Sequence, residues 1–71
     1  MMKVSIEFDT RDDSFQSDMR VELAHVTNQI RTKVRVGIEC LEHYESHAGY
    51  TSPLLDYNGI MIGTVKVKRE S

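Results

Sequence analysis

The four residues Asp56-Tyr57-Asn58-Gly59, set between two apolar runs, constrain this chain most, because they oblige it to reverse direction and pair with itself. A two-residue turn on Asn58-Gly59 would put Leu55 on the opposite face from Met61, Val65 and Val67. A type I turn over all four residues, with Gly59 in the left-handed bulge position, instead opposes Asp56 to Ile60 and Leu55 to Met61. Leu55, Met61, Val65 and Val67 then share one face. The residue types agree, since Asp suits the first turn position and Gly the left-handed one.

Residues 3–9 supply the partner for that face. Val4, Ile6 and Phe8 alternate with Lys3, Ser5, Glu7 and Asp9, the period of a half-buried strand. The polar stretch 9–17 carries side chains that bond local backbone and compete with regular structure, and Phe15 within it is an anchor at the start of a helix. That helix begins near Ser17 or Asp18. Met19, Leu23, Val26, Ile30 and Val34 recur at spacings of four, three, four and four, a stripe that should lie on the sheet. Beyond Val34 two patterns compete: Val34, Val36, Ile38 and Cys40 alternate like a strand, while Val34, Ile38, Leu41 and Ala48 extend the helical stripe. Glu39, Leu41, Glu42 and Glu45 favour helix. Gly37 is then a weak point costing about 1 kcal/mol relative to Ala, where the helix bends or divides, and Gly49 is its terminator. Residues 50–53 read as a connector, because Pro53 disfavours helix at Ser52 and cannot donate to a central ladder.

These pieces predict an α+β fold of β-α-β-β order. One main helix lies on one face of a three-stranded sheet, and residues 35–49 form a possible second helical segment. A helix running back along the first strand leaves the second strand parallel to the first, so the hairpin's return strand fits antiparallel between them, giving order 1-3-2. At 71 residues the chain is read as a single domain, 1–71, because a second core has no room to form. Such a core rarely contributes more than about 3 to 5 kcal/mol, so association with a partner or a second copy is a natural supplement. The one cysteine, Cys40, cannot form a bridge within the chain, and with no signal-peptide pattern a reducing cytosol is the expected compartment. No apolar run approaches the roughly 18 residues of a membrane span.

The residues Ile6-Glu7-Phe8-Asp9-Thr10, with Phe15 beyond, and the segment Pro53-Leu54-Leu55-Asp56-Tyr57-Asn58-Gly59 followed by Gly63 resemble a family. They are similar to small uncharacterised tailed-bacteriophage proteins in which an EFDT strand, a short amphipathic helix and a PLxDxNGxxxG hairpin recur. The resemblance covers about two thirds of the chain; residues 35–50 are longer than the family's linker. It implies a phage origin, a place in the cytoplasm of the infected bacterial host, and action by binding and inhibiting a host bacterial protein.

Chemistry is sparse. On a helix Cys40, His43 and His47 fall on one face and could begin a zinc site, with a fourth ligand from His25, Glu39 or a second chain; structural zinc sites, however, show close-spaced ligand pairs at two places, and only one exists here. A Cys-His nucleophile would lack a third group and a cleft. Asp9, Asp12 and Asp13 lack the glycine and terminal glutamate of an EF-hand loop, and Gly59 and Gly63 answer to turn and strand geometry and not to a phosphate loop. The chain is therefore read as no enzyme, with no cofactor and no metal.

The expected function is that of an interaction module. In the register above, Leu54, Ile60 and Ile62 point away from the helix, bordered by Thr64, Lys66 and Lys68, and this patch is the predicted partner-binding surface for a host protein or a second copy, unless residues 35–49 cover it. The competing reading is a nucleic-acid-binding accessory protein using Lys66, Lys68, Arg69 and the cluster Arg31, Lys33 and Arg35. Nine Lys and Arg against eleven Asp and Glu, a net charge of −2, give no global attraction to phosphate.

Overall fold

The structure, a computed structural model, describes residues 1–11, 13–44 and 48–70. Along the chain come strand β1 (Met2–Phe8), the short helix α1 (Asp13–Ser17), the long helix α2 (Met19–His43), and strands β2 (Gly49–Leu55) and β3 (Met61–Arg69). The three strands form one antiparallel-paired sheet in the order β1-β3-β2, with the long, Val- and Ile-rich β3 in the middle as predicted.

Asp18 caps α2, its extended backbone letting the side chain accept from the Val21 N–H at 3.4 Å. The helix then runs unbroken through Gly37 to His43, so the helical reading of residues 34–43 holds and the helix does not divide there. Gly37 has a packing reason. A Cβ there would come within 2.6 Å of the Tyr50 ring and 2.8 Å of a Val67 methyl, so its absence lets the helix settle on the sheet and offsets the cost of about 1 kcal/mol. Helix α2 ends six residues before Gly49, which opens β2 instead of terminating the helix. Residues 50–53 are strand and not connector: β2 is an edge, where a proline is tolerated if its missing N–H faces outward.

The turn forms as read from the sequence. Gly59 has φ +81°, its N–H donates to the Asp56 carbonyl at 3.0 Å, and the Asp56 N–H donates to the Ile60 carbonyl at 2.9 Å. Leu55 does pair with Met61, but Leu54 pairs with Gly63, leaving Ile62 as an extra residue on β3. This bulge inverts the expected faces. Leu54, not Leu55, joins Val65 on the helix side, where Leu54, Val65, Phe15 and Val26 form the core and Phe8, Ile30, Val34 and Ile62 pack around it. Met61 is 64% exposed. A sequence written in strict period two cannot show the extra residue.

On α2 the buried residues are Glu22, Val26, Gly37 and Leu41, while Met19 and Leu23 of the predicted stripe are exposed. At 100° per residue Gln29 and Lys33 lie on one flank of the sheet-facing line through Val26 and Gly37, and Val34 and Ile38 on the other. Gln29 and Lys33 reach β2. The opposite flank therefore overlies the β1 side, and α2 rests mainly on β2 and β3.

Candidate protein-interaction surface

The bulge dismantles the predicted patch. Leu54 is 0% exposed in the core and cannot meet a partner, and Ile62 is half-buried against the same cluster. Ile60 is exposed at the end of the turn, and Lys66 and Lys68 are exposed on the sheet face away from α2. That far face is polar. Its cross-strand rows read Lys3-Lys68-Gly49, Ser5-Lys66-Thr51 and Glu7-Thr64-Pro53.

The two basic clusters do not merge either. Lys66 and Lys68 lie beneath the sheet, whereas Arg31 and Arg35 lie on the helix flank above it. Two further cations bind backbone: Lys33 Nζ donates to the Pro53 carbonyl, and the Arg69 guanidinium donates to the Leu41 carbonyl. Cys40 is half-buried and His43 exposed in the last turn of α2, while His47 lies outside the described residues. Among the described residues no three His, Cys, Asp or Glu side chains gather. No helix of the described residues is long and apolar enough to cross a membrane.

The sheet's two edges differ in kind. Asp9 N–H donates to the Ile62 carbonyl and Glu70 N–H to the Met1 carbonyl, so the odd-numbered residues of β1 turn their main chain toward β3. Arg69 N–H donates to the Ala48 carbonyl, so the even-numbered residues of β2 do likewise from the other side. At the outer edge of β2, Pro53 has no N–H to offer, and its carbonyl accepts from Lys33. Leu55 is closed at both groups by one side chain: its N–H donates to Gln29 Oε1 at 2.9 Å and its carbonyl accepts from Gln29 Nε2 at 2.6 Å. The helix thus closes the Pro53–Leu55 end of this edge.

Among the described residues nothing comparable covers β1. By the period of two, the N–H and C=O groups of Val4 and Ile6 point outward from the sheet. Their side chains lie on the helix side, paired with Val67 and Val65, yet stay 38% and 44% exposed because α2 sits over the neighbouring strands. The flank of α2 itself carries an open groove of about 630 Å³, lined by Ile30, Val34 and Ile38 with Arg31, Arg35, Glu39 and Glu42 on its rim. Val4, Ile6 and the outward main chain between them form one strip along β1.

Three carboxylates fix the turn of the hairpin and the end of β1. Asp56 Oδ1 accepts from the N–H groups of Asn58 and Ile60, both at 2.8 Å, holding the turn. Glu22, 3% exposed, accepts from the Tyr57 N–H at 3.0 Å through one oxygen, while its other oxygen is buried without a partner among the described residues. Glu22→Ala should cost about 1 to 3 kcal/mol by stranding that N–H, whereas Glu22→Gln, which keeps an acceptor, should cost less than 1 kcal/mol. Urea unfolding of both variants checks this; equal losses would mean that the Tyr57 contact does not hold the turn. Beyond β1, the Arg11 side chain and then its backbone N–H bond Asp9 and hold its carboxyl down to about 2. This exposed pair favours the folded state above the usual carboxylate range and loses that effect as pH falls through about 2.

No family model, curated protein or solved structure matches the chain.

Proposed function

We propose that this protein is a protein-interaction module that receives an extended partner segment along β1. The observation that carries the reading is the contrast between edges: β2 is closed at its Pro53–Leu55 end by Gln29, Lys33 and the proline itself, while among the described residues β1 offers free main chain beside half-exposed Val4 and Ile6, and α2 carries an apolar groove on its flank. Strand addition takes affinity from main-chain hydrogen bonds and specificity from pockets for alternate side chains, and β1 presents both. The resemblance to phage proteins directs the reading toward binding and inhibition of a host protein in the cytoplasm of the infected bacterium. The reading draws on no catalytic group.

Immobilised protein exposed to bacterial lysate, with identification of the captured protein and repetition using that protein purified, tests the proposal. Ile6→Lys keeps an apolar stem but puts a charge into the strip, and should abolish capture without changing the circular dichroism. Lys66→Glu with Lys68→Glu, on the far face, should leave capture intact. The opposite pattern would move the interface to the far face.

A further inference from the structure

The segment that docks on β1 is, we propose, β1 of a second copy, paired antiparallel about a two-fold axis at Ser5. The inference rests on the docking-edge reading above and adds the identity of the occupant. Since only even-numbered residues of β1 offer main chain outward, an added copy must pair even with even. Among such registers, the one centred on Ser5 uses the whole strand: Met2 opposes Phe8 of the second copy, Val4 opposes Ile6, Ser5 opposes Ser5, and Lys3 opposes Glu7.

Each residue then finds its complement. Lys3 and Glu7, both exposed and on the far face, meet across the axis twice, as opposite charges. On the helix side the facing residues Met2, Val4, Ile6 and Phe8 are all apolar. Shifting the register by two residues, either way, loses both Lys3-Glu7 pairs. The groove repeats the pattern. Antiparallel copies of α2 place the Arg31 and Arg35 end of one rim toward the Glu39 and Glu42 end of the other. Gly37 lies over Val67, the partner of Val4, so this part of the helix stands level with the proposed axis. The product is a six-stranded sheet carrying both long helices on one face.

Sedimentation equilibrium of the intact chain, up to millimolar concentration, is the test. Wild type should form a dimer. Lys3→Glu and Glu7→Lys should each weaken it roughly tenfold to a hundredfold, since each turns two attractive pairs into repulsive ones. An equimolar mixture of the two should pair as tightly as wild type, and the double exchange on one chain should self-associate again. Amide hydrogen exchange on the unmodified protein needs no variant: the Val4 and Ile6 N–H groups should become protected as concentration rises. A wild type that remains monomeric with these amides unprotected overturns the inference, as does a dimer indifferent to both substitutions or unrescued by mixing. If the monomer's capture of a host protein is still abolished by Ile6→Lys, only the occupant was wrong; if capture is indifferent to Ile6→Lys, the docking edge itself fails.

Discussion

Gly63→Ala is expected to leave most of the protein unfolded at room temperature. A Cβ at this position would collide with the Glu7 carbonyl oxygen and lie 2.5 Å from Phe8 Cα, and these are main-chain atoms that cannot swing aside. Strands β1 and β3 would have to separate where Phe8 pairs with Gly63, loosening Phe8 from its stacked contact with Phe15. We expect a loss of about 3 kcal/mol or more, comparable to the whole net stability of a domain this small. Gly59→Ala is the control. Nothing lies within 4 Å of its missing Cβ, so only the left-handed backbone at φ +81° resists, at about 1 to 2 kcal/mol. Urea titration followed by circular dichroism should rank the two in that order; a Gly63→Ala midpoint at or above that of Gly59→Ala would mean that the strands are not in such close contact.

The second large effect separates two adjacent leucines. Leu54→Ala should cost about 2 to 5 kcal/mol, because Leu54 has no exposure and packs among Phe15, Val26 and Val65. Leu55→Ala should cost about 1 kcal/mol or less: its main chain, not its side chain, makes the Gln29 contact. A hairpin without the bulge would reverse the order. Thermal unfolding of the two variants therefore reads the face inversion at Ile62 directly, and a greater loss at Leu55 would remove it.

These two residues also show where sequence reading stops. Strand β1, the Asp18 helix start, the helical character of residues 34–43, the Asp56 to Gly59 turn and the strand order were legible, because each rests on local chemistry or on a connection rule. The bulge was not. One extra residue changes no propensity and leaves the Leu55-Met61 pair intact, yet it exchanges the fates of Leu54 and Leu55 and draws Ile62 toward the core. The predicted binding patch fell with it. The β1 edge was hidden for another reason: Val4 and Ile6 have the spacing of buried residues, and only the lateral position of α2, governed by Gln29, Lys33 and the close approach at Gly37, leaves them open. No pattern within β1 records where a helix thirty residues away comes to rest. The Lys3, Ser5, Glu7 alternation was visible as a solvent face; that it complements itself when reversed emerges only once β1 is known to be an edge.

The seal on β2 bears on how far any growth through β1 can proceed. A sheet with two receptive edges can add copies end to end without limit and polymerise into fibres. Here one edge has its Leu55 main chain occupied by Gln29, its Pro53 carbonyl by Lys33 and no Pro53 N–H to give. The Pro53–Leu55 end of β2 is therefore closed to an added strand, as a blocking group closes one end of a growing chain. That closed stretch works against end-to-end growth, so an open β1 edge is less apt to make the protein the seed of its own aggregate.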